Sequence, residues 1–204
     1  SKNIERQAAT TLSLDEIKSN FKNTSIVATL LIAVVVWTAY APVFFFLNKF
    51  GNSIGVSNPG FFFTISSVAE IVVRLVGGGL MDKGNKPRLL MVAVLWLAGC
   101  YSIMVFVNSA NLFFLMGLFM GIGWGLIMPL LSSIVFDISE PRFRAFNTNI
   151  TFQMFQMGFF VGPIIGAYFM NSGGLPQFFV YAALSLVISL APAVWSFRHA
   201  SDRR

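Results

Sequence analysis

Long uncharged apolar stretches, separated by short charged segments, make up most of this chain. No Asp, Glu, Lys or Arg occurs between Lys22 and Lys49, and the apolar stretch 25–47 is long enough to cross a hydrocarbon core of about 30 Å. A second stretch, 59–81, begins at Pro59, a residue favoured in the first turn of a helix. The pattern predicts two membrane-spanning helices in these two stretches.

Two longer uncharged stretches each contain a turn-like interruption. Residues 89–136 are divided by the polar segment 108–111, and residues 145–197 are divided by 171–176, which reads Asn-Ser-Gly-Gly-Leu-Pro. Each stretch therefore gives two helices, and an all-α membrane protein with six transmembrane helices is predicted. The predicted divisions are a lead-in over 1–23, a six-helix bundle over 24–198 and a tail over 199–204.

Basic residues are concentrated in the segments that connect alternate helices. The lead-in, the loops 82–88 and 137–144 and the tail hold nearly all of them, whereas the other three connections hold only Lys49. The positive-inside rule then predicts that both termini are cytoplasmic. This placement accounts for the net charge of +6 without a nucleic-acid partner and makes the lipid bilayer the expected surrounding.

Composition supports the membrane assignment and limits the chemistry. Of the residues 56% are hydrophobic and 11% are charged, against about 25% charged in soluble domains. One Cys and one His exclude an internal disulfide and argue against a metal site or a His-based enzyme. We expect no cofactor and no catalytic residue. A membrane-embedded enzyme is the weakest alternative, because no cluster of His, Cys or carboxylates stands out and loop solvation explains the acidic pair Asp137 and Glu140.

The lead-in contains a helix-start signal. Ser13-Leu-Asp-Glu16 fits a capping box, and Leu14, Ile17 and Phe21 fall near one face of the helix that follows. We expect a short amphipathic helix on the cytoplasmic membrane surface. A simple connector is the alternative.

Three amide side chains form a stripe on the fifth predicted helix. Asn149, Gln153 and Gln156 recur at positions i, i+4 and i+7, within an arc of about 60°. Amides are disfavoured against lipid. The stripe therefore predicts a surface that lines a solute pathway, with hydrogen bonds between helices as the alternative.

The first two helices carry further candidates for a solute site. Glu70 and Arg74, four residues apart in the second helix, lie near mid-membrane, where charged residues face a partner or a watery cavity. Proton coupling is the functional interpretation and mutual neutralisation the structural one. Trp37 and Tyr40 belong to an aromatic stripe on the first helix, either a cavity wall or packing.

The loop after the second helix carries a family motif. Gly78-Gly-Leu-Met-Asp82-Lys83-Gly-Asn85-Lys86 resembles the signature loop of the major facilitator superfamily. Asn85 stands where that motif has its second glycine, and asparagine tolerates the left-handed turn that a glycine would supply. The resemblance implies that this loop is a cytoplasmic gate.

A second motif lies in the fifth helix. Gly158, Gly162, Pro163 and Gly166, with Ala167 at the final position, resemble the glycine-proline packing motif of the same family. Gly117 stands in the fourth helix where the family's first half often has an arginine. Together with the lead-in and the end after helix six, this leads us to expect the C-terminal half of a twelve-helix transporter.

The resemblance implies a fold and an activity. Six helices would form two inverted three-helix repeats that work opposite a homologous six-helix half, or a second copy of the chain, in a bacterial inner membrane. The expected function is secondary active transport of a small solute by alternating access. A stand-alone six-helix protein acting as a homodimer or interaction module, without transport, is the alternative.

Overall fold

Helices account for all of the regular structure in the part of the chain that the structure describes. The computed structural model covers residues 12–201, without the side chains of 80–83 and 193–201. One short helix precedes six long ones, which confirms the predicted all-α architecture. The helices are α1 (Leu14–Asn20), α2 (Thr24–Ser53), α3 (Phe61–Lys83), α4 (Lys86–Met104), α5 (Ala110–Ile138), α6 (Arg144–Gly173) and α7 (Gln177–Ser201).

The long helices have the length and composition of membrane spans. Within the described residues, α2 to α6 are each long and apolar enough to cross a bilayer, and α7 is apolar over Gln177–Pro192. Large apolar side chains point outward, among them Val76 at 81% exposed and Phe160 at 74%. Such a surface requires lipid or another protein against it. The prediction of an integral membrane protein is confirmed.

Polar side chains determine where several helices begin. Asn23 and Ser109 accept hydrogen bonds from backbone amides in the first turns of α2 and α5. Asn85 accepts from the amide of Arg88 at 3.1 Å and starts α4. Its φ of −74° is in the extended region, so the left-handed turn expected at this position is wrong. An asparagine is tolerated there because it caps a helix.

The lead-in forms helix α1, and its capping box is confirmed. The backbone amide of Ser13 donates to the Glu16 carboxylate at 2.8 Å, and the Glu16 amide donates to the Ser13 hydroxyl at 3.3 Å. Phe21 contacts Phe146 at the start of α6 with ring centroids 6.2 Å apart. α1 therefore lies beside the loop 139–143 and the start of α6, at what we call the charged end of the bundle. Its location on a membrane surface stays a prediction.

The six long helices form two interlocked repeats, α2–α4 and α5–α7. The largest contacts run between the repeats: α2 packs on α6 and α7, α5 packs on α3 and α4, and α4 packs on α7. Within the first repeat α3 barely touches α4. Each repeat has three helices and so passes through the bundle three times. Because three is odd, the first helix of the second repeat starts at the end of the bundle opposite to the start of the first repeat. This is the predicted pair of inverted repeats.

Two rows of glycine bring the crossing helices close together. Each row has a spacing of four residues, so its members share one helix face. A Cβ atom at Gly121 of α5 would lie 2.3 Å from the Ser66 carbonyl oxygen of α3, and one at Gly162 of α6 would lie 2.5 Å from the Thr38 carbonyl oxygen of α2. Backbone contact this close requires glycine. The rows are Gly117, Gly121 and Gly125 on α5 and Gly158, Gly162 and Gly166 on α6.

The end of the bundle opposite α1 is filled by phenylalanine. Phe50, Phe62 and Phe113 are almost fully buried there with Phe178 and Phe179. Their rings meet mostly edge to face or tilted, as between Phe50 and Phe179 at 5.0 Å, which is a favoured aromatic geometry. We call this the aromatic end. It is closed by apolar packing, whereas the charged end is held by polar contacts.

Candidate solute cavity

A cavity of about 300 Å³ lies between the first two helices of each repeat. This volume is at the lower end of the range for small-molecule sites, about 300–1,000 Å³. Nine residues from four helices line it. They are Trp37, Tyr40 and Phe44 of α2, Glu70 and Arg74 of α3, Trp124 and Met128 of α5, and Phe155 and Phe159 of α6.

Aromatic side chains make the floor of the cavity. Trp37 stacks on Trp124 with centroids 5.5 Å apart and ring planes at 25°. Phe155 meets Trp37 edge to face at 4.4 Å, and Tyr40 meets Trp124 in the same way. The Trp124 indole N–H donates to the buried Tyr101 hydroxyl at 3.2 Å. These contacts hold the rings against one another, and the floor offers ring faces and edges to a bound molecule.

The tryptophan pair reflects the internal symmetry of the chain, which our sequence reasoning missed. Trp37 precedes Pro42 by five residues in α2, and Trp124 precedes Pro129 by five residues in α5. The two helices are the first of their repeats, so the tryptophans occupy equivalent positions and meet between the repeats. The repeated spacing of Trp and Pro was the signal that could have revealed this contact.

One ion pair forms the polar part of the cavity wall. An Arg74 guanidinium nitrogen donates to the Glu70 carboxylate at 3.1 Å, and their side chains are 44% and 23% exposed. Behind the pair, a Cβ atom at Gly125 would lie 3.1 Å from the Glu70 Cα atom. The missing side chain at Gly125 therefore lets α5 approach the backbone of α3 closely at Glu70. The structure brings this pair together with Trp37 and Tyr40 around one cavity.

The predicted amide stripe lies elsewhere. Asn149, Gln153 and Gln156 are exposed on α6, and none of them lines the cavity. The same helix turns Phe155 and Phe159 toward the cavity instead. A solute-lining role for the three amides stays a prediction that depends on what covers this face of α6.

A buried amide network at the charged end was not anticipated. The Asn20 side chain of α1 and the Asn147 side chain of α6 exchange two hydrogen bonds, of 2.7 and 3.2 Å. Asn147 also donates to the Ser139 hydroxyl at 2.8 Å, and Glu16 forms an ion pair with Arg142. α1 is thereby attached to the loop between α5 and α6.

The gate motif is only partly described by the structure. The side chains of Asp82 and Lys83 lie outside the described residues. Gly78 has open space around it. Lys86, at the start of α4, forms an ion pair of 2.5 Å with Asp137 near the end of α5. This pair joins the two repeats at the charged end.

Metal chemistry has no visible site in the described ranges. No group of three or more His, Cys, Asp or Glu side chains lies close enough to hold a metal ion among those residues. The cavity is instead suited to noncovalent binding of a small molecule, by ring contacts and one ion pair.

Comparison with known families agrees with this geometry. Residues 3–204 match the model of the Major Facilitator Superfamily. The chain belongs to the Major Facilitator Superfamily. Family membership accounts for the inverted three-helix repeats and for the cavity between them. The family name describes transport rather than catalysis, in agreement with the prediction that the chain is not an enzyme.

Curated relatives within the superfamily are distant and larger. The chain is 22% identical over 145 residues to the uncharacterized MFS-type transporter YqjV of Bacillus subtilis, an alignment that covers 71% of this chain and 35% of YqjV. It is 21% identical over 131 residues to the quinolone resistance protein NorA of Staphylococcus aureus, covering 64% of this chain and 34% of NorA. The matched part of the chain thus spans about a third of the length of these relatives.

Proposed function

We propose that this chain is one six-helix half of a secondary active transporter that moves a small solute by alternating access. The observation that carries the proposal is the cavity between the inverted repeats, which combines an aromatic floor with the Glu70–Arg74 pair. Transporters of this architecture bind near mid-membrane at the interface of their repeats. The chain would function in a bacterial inner membrane with both termini in the cytoplasm.

The exposed faces of α3 and α6 support a second half opposite this one. On α3, Val72, Leu75 and Val76 are more than half exposed on the helix that carries Glu70 and Arg74. On α6, Phe160 and Ile164 are also more than half exposed. A homologous six-helix half, or a second copy of the chain, would cover these faces and complete the cavity. Asn149, Gln153 and Gln156 would then lie against that partner or the solute pathway.

Glu70 is the proposed proton-coupling residue, with Arg74 as its partner. An unpaired charge is costly inside a membrane. Pairing with Arg74 favours the charged carboxylate, and separation of the pair favours the protonated form. A rearrangement that changes the pair would therefore link proton binding to solute movement.

The motif loop and the ion pair that it forms at the charged end are the proposed gate. Asp82, Lys83 and Lys86 belong to the motif loop, and the Lys86–Asp137 ion pair crosses from one repeat to the other. A gate needs a contact that is made in one access state and lost in the other. Asp82→Asn should therefore reduce the transport rate far more than the solute affinity, because Asp82 lies about 18 Å from Glu70 along α3.

Proteoliposomes that contain the full-length transporter and an internal pH-sensitive dye test the proposal. Small aromatic compounds are added one at a time under an imposed proton gradient. We expect at least one compound to move protons with wild type and not with Glu70→Gln, while Glu140→Gln, a loop carboxylate outside the cavity, behaves as wild type. Solute transport with full proton movement in Glu70→Gln would make the ion pair structural. No transport of any compound would favour the interaction module.

A further inference from the structure

The cavity's charges indicate which class of solute it accepts. We propose that the solute is an aromatic carboxylate, and that its carboxylate binds Arg74 by taking the place of Glu70 while its ring packs on the aromatic floor. This inference rests on the proposed function, since it concerns the same cavity. It adds the chemical class of the solute and the event that links binding to the ion pair.

The described lining carries one negative and one positive charge, and they already neutralise each other. An Arg74 guanidinium nitrogen lies 3.1 Å from a Glu70 carboxylate oxygen. A cationic solute that took Glu70 would leave the Arg74 guanidinium without a partner in a low-dielectric site. An uncharged solute would leave the pair unused. A carboxylate solute keeps Arg74 paired and leaves the Glu70 carboxylate as the unpaired charge. Glu70 can neutralise this charge by gaining a proton.

Arg74 is the accessible member of the pair. Its side chain is 44% exposed, against 23% for Glu70. A guanidinium has five N–H donors in a planar fork that fits a carboxylate with two parallel hydrogen bonds. Within the described residues, Arg74 makes a single side-chain hydrogen bond, to one Glu70 oxygen. A solute carboxylate with two hydrogen bonds can therefore compete with Glu70 for this fork.

The rest of the lining favours an aromatic ring. Six of the nine lining residues are aromatic and one is Met128. Trp37 is held between Trp124 and Phe155, so its ring cannot turn away when a ligand enters. Aromatic pairs gain about 0.5–1.5 kcal/mol beyond the area that they bury. A flat ring with an acid group at one edge would contact this floor and reach Arg74 within the same cavity.

When the solute carboxylate replaces Glu70 at Arg74, a measurable number of protons is taken up. Besides Glu70 and Arg74, Tyr40 of α2 is the one titratable group that the described lining contributes; α5 contributes Trp124 and Met128, and α6 contributes phenylalanine. No other described lining group can neutralise a displaced Glu70 carboxylate. One proton from the solvent therefore binds Glu70 for each solute carboxylate that binds Arg74. The solute itself is bound as the anion and no covalent bond changes.

Three probes with the same ring system test this assignment. Naphthoate is the anion, naphthamide is its uncharged analogue and naphthylmethylammonium is the cation. Each is titrated calorimetrically into the full-length transporter in detergent, in two buffers with different heats of ionisation. The difference between the buffers gives the number of protons taken up.

We expect naphthoate to bind roughly tenfold or more tightly than either analogue, as a charge-assisted pair implies, with uptake of about one proton. In Arg74→Gln, naphthoate should bind no better than naphthamide. In Glu70→Gln, naphthoate should bind as tightly as in wild type or more tightly, without proton uptake. Lys49→Gln removes an exposed cation at the aromatic end, outside the cavity and the gate loop, and should change nothing. Thermal unfolding of each variant shows whether it is folded.

Equal binding of the three probes, preference for the cation, or absence of binding in folded wild type would overturn the inference. Carboxylate preference that persists in folded Arg74→Gln would overturn it as well. The proteoliposome assay separates these outcomes from the proposed function. If another class of compound is transported while naphthoate does not bind, only the solute class is wrong. If naphthoate binds at Arg74 and no compound is transported, the transport proposal is wrong instead.

Discussion

The two helix crossings that support the cavity use the same glycine spacing but join different kinds of helix. Where α6 crosses α2, Gly162 faces the Thr38 carbonyl oxygen, and where α5 crosses α3, Gly121 faces the Ser66 carbonyl oxygen. In α2 the residue four positions after Thr38 is Pro42, which has no N–H, so the Thr38 carbonyl lacks its usual helical donor. In α3 the residue four positions after Ser66 is Glu70, whose N–H is available.

Because of this difference, the helices in the two walls of the cavity do not bend equally easily. A helix bends most easily at proline, and both helices of the first crossing contain one, Pro42 in α2 and Pro163 in α6. In the second crossing α5 contains Pro129, and α3 contains none. The aromatic floor is therefore carried by helices that contain proline, and the ion pair by one that does not. We call the crossing of α5 and α3, which has one proline-free helix, the rigid crossing, and the crossing of α2 and α6 the adjustable one.

Gly121→Ala tests the rigid crossing and should have the largest effect on stability. The new methyl group would overlap the Ser66 carbonyl oxygen, and α3 has no proline at which to move away. We expect a loss of roughly 3 kcal/mol, the upper part of the usual range for overpacking, measured by thermal unfolding in detergent. Gly99→Ala is the matched control, because a Cβ there meets nothing within 4 Å. A stability equal to that of the control would show that α3 is not rigid.

Gly162→Ala tests the adjustable crossing in the same assay. A Cβ atom at this position would lie 2.5 Å from the Thr38 carbonyl oxygen, but α2 can bend at Pro42 to relieve the overlap. We expect a loss of roughly 1–2 kcal/mol, smaller than that of Gly121→Ala. The comparison between the crossings fails if Gly162→Ala is the more damaging of the two.

Asn20→Ala examines how the adjustable helix α6 is held at its charged end. Removing this side chain leaves the buried Asn147 amide without two hydrogen bonds, at a cost of about 1 kcal/mol. Ser19→Ala, an exposed neighbour in α1, is the control. Thermal unfolding measures both variants. Equal stability of the two would mean that α1 does not restrain α6.

Acidification gives the smallest expected effect. Hydrogen bonding to the Ser13 backbone, with help from Arg142, holds the pKa of Glu16 below its ordinary value of 4.5. Glu16 therefore stabilises the folded state fully at pH values above 4.5. This stabilisation is lost as the pH falls through the lower pKa of the folded state. We expect the melting temperature of wild type to fall slightly more between pH 7 and pH 3 than the melting temperature of Glu16→Gln. Parallel curves for the two proteins would contradict this.

The cavity shows how far local pattern carries a site prediction. Charges and aromatic stripes in apolar spans point to four residues that lie around one cavity, namely Glu70, Arg74, Trp37 and Tyr40. The amide stripe of α6 is the same kind of local pattern, but its side chains are exposed. Spacing along one helix identifies a shared face but does not say which neighbour that face meets. Phe155 and Phe159 gave no polar signal, although they complete the aromatic wall.

The sequence by itself determined the number of spans, their approximate ends, the capping box and the family, because hydrophobic length, cap residues and loop motifs are local properties. Only the tertiary structure decided that Trp37 stacks on Trp124, that Asn20 bonds Asn147, and which carbonyl each glycine faces. The two tryptophans are 87 positions apart in the chain, and the two asparagines are 127 positions apart. Such pairs are fixed by how the inverted repeats interlock, and no periodicity within a single helix encodes that arrangement.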